Sequence, residues 1–141
     1  KLGSDCPYFL FDTPCHATGK GELLSPITCN LSNYTIVLLH PGIHIATPWA
    51  FQQITPCKKE KLISSIIQQP MSTWKQELIN DFEAPVIDAH PIIGALKKDL
   101  YQQGAIYASM SGSGSSLFGI YEKNKKYQTS DLTNNIRIDT I

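Results

Sequence analysis

The chain predicts an α+β domain, with helices packed on one face of a mostly antiparallel sheet. Short β-branched apolar runs stand toward both ends, while the middle, from Pro48 to Gly104, repeats its apolar residues at helical spacing. No internal repeat or linker-like stretch divides the 141 residues, a length that suits one domain of roughly 100–150 residues.

The elements follow in order. YFLF and GELLSPI flank DTPCHATGKG, and the pattern around Gly19-Lys20-Gly21 predicts a hairpin. Residues 34–40, YTIVLLH, are continuous and β-branched and run into Pro41-Gly42, as a buried strand does. In EKLISSIIQQP, Leu62, Ile63, Ile66 and Ile67 share one helical face before Pro70 stops the segment. Trp74, Leu78 and Phe82 continue the spacing in a further helix. A third helix begins at Pro91, a favoured first-turn residue, and turns Ile92, Ile93, Leu96 and Leu100 inward. It ends where Gly104 can supply a left-handed cap. Strands then return at residues 105–110 and 117–121, bracketing SMSGSGSS, and NIRIDTI alternates as a half-buried last strand. Between them EKNKKYQTSDL reads as a solvated turn with a frayed helix start.

Composition narrows the function classes. An apolar fraction of 42% with 17% charged residues describes a globular chain rather than a disordered one. Twelve basic and twelve acidic residues cancel, so no global field favours nucleic acid or an anionic membrane, and a small ligand suits the chain better. Cys6, Cys15, Cys29 and Cys57 form no C-x-x-C pair and no matching histidine spacing, which argues for reduced thiols and against a metal site. No run reaches the ~20 apolar residues that cross a bilayer, and no leader pattern opens the chain. A cytoplasmic location is expected. The chain begins already inside motif-like sequence, KLGSDCPYFLF, which points to a fragment with its first half elsewhere.

Several residues are candidates for chemistry. The small residues of SMSGSGSS let backbone N–H groups converge on an anion, but neither a Walker loop nor a dinucleotide fingerprint fits their spacing, so a mobile connection is an equal reading. Gly19-Lys20-Gly21 lacks the rest of a phosphate loop and reads as a turn. His16, His40, His44 and His90 are scattered and read as structural. Asp5, between Ser4 and Pro7, could cap a turn or helix start. The carboxylates of Asn80-Asp81-Phe82-Glu83 read as a solvated face near a helix end.

Three of these signals occur together, in this order, in one family. LGSDCPYF resembles the Leu-Gly-small-Asp-x-Pro-x-Phe segment of the GHMP kinases, and MSGSGSS is similar to their C-terminal glycine-rich motif. NDFE between them resembles a run found in one branch. HATGKGE and HPGIHIATPWAF are similar to the branch whose acceptor is a cytidine-diphosphate-linked methylerythritol of non-mevalonate isoprenoid biosynthesis. The resemblance covers residues 2 to 121.

It implies a ferredoxin-like C-terminal domain over residues 1–141, with an N-terminal ATP-binding domain outside this chain. It implies transfer of the ATP γ-phosphoryl group to the 2-hydroxyl of that acceptor, with Mg²⁺ accompanying ATP and no dedicated metal ligands here. Asp5 takes the catalytic role, Thr47 and Pro48 line the cytidine base, and Phe51 stacks on it. Ser111, Gly112, Ser113 and Gly114 support the phosphate loop, where bulk would collide. The isolated chain is then expected to be inactive. Another GHMP kinase, of homoserine, sugar or mevalonate type, and a noncatalytic metabolite sensor stay open as alternatives.

Overall fold

A computed structural model of the chain describes residues 6–10, 13–55, 61–134 and 136–141. After a 3-10 helix, Cys6–Leu10, strands β1 (Cys15–Thr18) and β2 (Leu23–Pro26) form an antiparallel hairpin with Thr18 opposite Leu23. Its turn places Gly19 at φ 68° and Gly21 at φ 105°, a region that glycine enters without steric cost. Glu22 accepts the Lys20 N–H at 2.7 Å, so GKG is a turn.

The main sheet contains β3 (Tyr34–His40), β4 (Tyr107–Met110), β5 (Leu117–Glu122) and β6 (Arg137–Thr140). Their order is β4-β5-β3-β6, antiparallel at every step. Strands β3 and β4 therefore run the same way with β5 between them, the split β-α-β arrangement of a ferredoxin-like sheet. Among its described residues the second crossover carries a 3-10 turn, Asp131–Thr133. That segment is less free than its polar sequence implies. The buried Asp99 carboxylate accepts Tyr127 Oη at 2.7 Å and Ser130 Oγ at 3.3 Å, tying the connection to the helix beneath it.

Among the described residues, five helices fill the first crossover: α1 (Thr47–Gln53), α2 (Ile63–Ile67), α3 (Met71–Glu77), α4 (Glu83–Ala89) and α5 (Pro91–Gln102). Helix α5 starts at Pro91 and ends before Gly104 at φ 95°, with Ile93, Leu96 and Leu100 fully buried. Ile92 instead faces outward at 38% exposure, because one residue turns the helix by about 100°. In α2 only Ile66 and Ile67 pack inward, while Leu62 and Ile63 are exposed. The continuous helix expected through Trp74, Leu78 and Phe82 is broken. Leu78 ends α3, and Asn80 Oδ1 accepts the Phe82 N–H at 3.0 Å, a local turn that competes with helix and starts α4 in a new direction.

A helical layer on one face only is also corrected. Val37, Leu39, Ala108, Met110, Leu117 and Tyr121 meet α4 and α5 on one face of the sheet. Tyr107 and Ile120, at alternate strand positions, meet Ile66 of α2 and Trp74 of α3 on the other. The strands are apolar on both faces, so both need cover.

Burial pushes the Tyr107 and Tyr127 hydroxyls up to about 12, and Tyr121 higher still. An unfolded chain releases those protons near pH ~10, so the native state holds protons that the unfolded state has lost as the pH climbs. The stability these tyrosines contribute is expected to be constant below pH ~10 and to be lost as the pH rises toward ~12. Urea midpoints followed alongside tyrosinate absorbance check this, and a midpoint that is flat across that window contradicts it.

Candidate functional site

Residues 111–116 join β4 to β5 in a closed turn. The Ser111 N–H donates to the Ser116 carbonyl at 2.8 Å and the Gly114 N–H to the Ser111 carbonyl at 3.1 Å. Gly112 has φ 56° and Gly114 φ 98°. A Cβ on Gly112 would meet nothing within 4 Å, whereas one on Gly114 would lie 2.7 Å from Met110 Sδ and 3.2 Å from Ile45 Cδ1. Gly112 thus answers to backbone conformation alone, and Gly114 to conformation and space together.

Gly114→Ala is therefore expected to cost roughly 2–4 kcal/mol, summing left-handed strain and overpacking against the buried Met110. Gly112→Ala should cost only the strain, about 1 kcal/mol. Urea denaturation of both variants checks the difference, and equal losses would remove the packing part of the explanation.

The loop is tied from several elements. Ser113 Oγ lies 3.2 Å from Thr47 Oγ1 at the start of α1, and Ser115 Oγ donates to the Ile43 carbonyl at 2.6 Å. Ser116 Oγ lies 3.2 Å from His40 Nδ1, and His40 Nε2 is 3.1 Å from Asp139 Oδ2 on the neighbouring strand β6. His40 keeps a structural role, one that reaches the loop.

Asn80 and Glu83 hold the loop's entry. Strand β4 is a sheet edge, and its outward backbone groups would otherwise face water or another chain. Asn80 Nδ2 donates to the Met110 carbonyl at 2.9 Å and to the Gly112 carbonyl at 2.8 Å. Glu83 Oε1 accepts the Met110 N–H at 2.7 Å and Ser109 Oγ at 2.9 Å, while Lys97 pairs with its other oxygen. Tyr101 Oη donates to the Ala108 carbonyl at 3.1 Å. The solvated face expected for this run holds for Asp81, which is exposed, and is corrected for Glu83, which is only 6% exposed because an edge strand supplies its partners. Two signals in the sequence pointed there. Asparagine two residues before Phe82 favours a local turn, and Pro85 belongs in the first turn of a helix starting just ahead of it.

The residues expected to hold a substrate share one side of α1. Thr47, Pro48 and Phe51 are exposed while Ala50 is buried beneath them. Phe51 is 59% exposed and forms a T-shaped pair with Phe82, with ring centroids 4.9 Å apart at 75°. The fold thus brings Thr47 against Ser113, and Phe51 against the Asn80–Glu83 run. Asp5 lies outside the described residues. Cys15 and Cys29 are free thiols, and burial raises the Cys29 pKa. Among the described residues no group of three or more His, Cys, Asp or Glu side chains could hold a metal, and no helix is long and apolar enough to cross a membrane.

Residues 62–130 match the family model described as GHMP kinases C terminal, and the chain carries the C-terminal domain of that family. Over 131 residues it is 42% identical to the 4-diphosphocytidyl-2-C-methyl-D-erythritol kinase of Parabacteroides distasonis, covering 93% of this chain and 48% of that one. The protein of the same name from Cytophaga hutchinsonii is 47% identical over 138 residues, covering 96% and 50%. A crystal structure of 4-(cytidine 5'-diphospho)-2C-methyl-D-erythritol kinase aligns with TM-score 0.71 at 26% identity, over 84% of this chain and 44% of that one. A homoserine kinase from Cytophaga hutchinsonii aligns with TM-score 0.53 at 18% identity over 84% and 43%, a likeness of fold alone. The chain spans about half the length of the curated relatives it matches.

Proposed function

We propose that this chain is the C-terminal half of an ATP-dependent kinase that phosphorylates the 2-hydroxyl of 4-diphosphocytidyl-2-C-methyl-D-erythritol in non-mevalonate isoprenoid biosynthesis. It works with an N-terminal ATP-binding domain, in the cytoplasm. The observation that carries this reading is the Thr47–Ser113 contact at 3.2 Å, which joins the helix of the cytidine-pocket motif to the glycine-serine loop. The names of the relatives at 42% and 47% identity support the same substrate.

In this reading the exposed face of Phe51 stacks on the cytosine, with Thr47 and Pro48 along its edge. Stacking of this kind is worth about 1–3 kcal/mol in nucleic-acid binders, enough to select the substrate. Asp5 takes the catalytic role toward the 2-hydroxyl. The hydroxyl oxygen attacks the γ-phosphorus, the bond from that phosphorus to the β–γ bridging oxygen breaks, and ADP leaves. Asp5 accepts the hydroxyl proton. A carboxylate with an ordinary pKa near ~4 is a weak base, so it orients the hydroxyl first and takes the proton late. Residues 111–114 shape the path of the phosphoryl group. Mg²⁺ travels with ATP, and the described residues offer no cluster of three or more His, Cys, Asp or Glu side chains to hold it.

The test is a phosphorylation assay on the full-length protein with the cytidine compound, homoserine, galactose and mevalonate as competing acceptors. Turnover of the cytidine compound alone supports the proposal. Turnover of another alcohol replaces the substrate, and no turnover favours a noncatalytic sensor. The isolated chain is expected neither to hydrolyse ATP nor to bind it with micromolar affinity, because phosphoryl transfer depends on groups that both halves position.

A further inference from the structure

We propose that Asn80 and Glu83 are positioning residues for the phosphoryl-transfer loop, acting as a side-chain substitute for a neighbouring strand; this rests on the kinase reading above. Both backbone polar groups of Met110 are held by side chains three residues apart, the carbonyl by Asn80 and the N–H by Glu83. An adjacent strand would hold an edge residue in the same way. Side chains at a helix start do it here, and they stop where the loop begins.

The orientation of Asn80 is locked. Its Oδ1 is occupied by the Phe82 N–H at 3.0 Å, so its Nδ2 must face the loop and can donate to two carbonyls at once. Pinning the Gly112 carbonyl fixes the plane of the next peptide. In that planar trans unit the Ser113 N–H points opposite to the Gly112 carbonyl, and therefore away from Asn80. Asn80 thus withdraws two carbonyl oxygens that would repel a phosphate and presents a donor instead. A Cβ on Gly112, at φ 56°, would meet nothing within 4 Å, so no packing at that α-carbon holds the peptide in place.

Glu83 serves the same end without placing a net charge beside the loop. Its carboxylate is offset by Lys97 and further satisfied by Ser109 Oγ and the Met110 N–H. It holds the last residue of β4 in register, and Asn80 then sets the first turn beyond it.

The test uses the full-length protein with Asn80→Asp and Asn80→Ser. Aspartate keeps the acceptor for the Phe82 N–H and the shape of asparagine, but turns a carboxylate toward two carbonyls. Serine keeps a short acceptor and adds no charge, so the pair separates loss of the clamp from repulsion of phosphate. In both, amide hydrogen exchange across 112–116 is expected to accelerate and kcat to fall about tenfold or more, the scale of losing two hydrogen bonds. KM for ATP should rise, while KM for the cytidine compound stays within about twofold even as the melting temperature falls by a few degrees.

Unchanged loop exchange in both variants overturns the proposal. So does a fall in melting temperature that raises both KM values together, since that describes general destabilisation. If the wild-type protein phosphorylates none of the acceptors, the kinase reading fails, and the exchange measurement still decides whether Asn80 holds the loop.

Discussion

Glu83→Ala is expected to destabilise the domain by roughly 2–4 kcal/mol. The alanine leaves the Met110 N–H and Ser109 Oγ without the Glu83 acceptor and Lys97 without its carboxylate partner. Removing one member of a buried pair costs about 3–5 kcal/mol, and the partial exposure of the Lys97 side chain lowers that figure. For a domain of this size the melting temperature should drop by roughly 5–15 °C. Glu83→Gln keeps an acceptor and loses only the charge, so it should lose less than half as much. Urea titrations of the two variants decide the point. Equal losses would place the stabilisation in the ion pair, and a loss in alanine below about 1 kcal/mol would mean water replaces the carboxylate.

Asp5→Asn in the full-length protein is expected to lower kcat by about 10²–10⁴, with KM for the cytidine compound nearly unchanged. Asparagine can still orient a hydroxyl through a hydrogen bond, but it cannot take the proton when the phosphoryl group transfers. Steady-state kinetics with saturating ATP separate the two roles. A rise in KM with kcat preserved would assign Asp5 to binding, and full activity would restore the reading of its carboxylate as a cap.

Much of the fold was legible wherever local chemistry decides. Glycines that must adopt positive φ marked the hairpin turn at Gly19 and the end of α5 at Gly104. Pro91 marked the start of α5, and the β-branched run at Tyr34–His40 became a strand over that full range. The Gly-Ser loop and the exposed triplet Thr47, Pro48 and Phe51 were both singled out, yet nothing in the sequence placed them in contact. Their meeting depends on Ser113 reaching Thr47 across 66 positions of chain.

What the sequence alone determined is the order of elements, the turn positions and the apolar faces of α5 and β3, because each follows from spacing and backbone preference within a few residues. The tertiary structure decided the rest. It broke one helical pattern into α3 and α4, covered both faces of the sheet, and buried Glu83, which the sequence left in solvent. A carboxylate's local neighbours give no sign of burial when its compensating donors stand on a strand 27 positions away, as the Met110 N–H does. The free energy of burying a charge is settled by those partners, and only the folded chain brings them within reach.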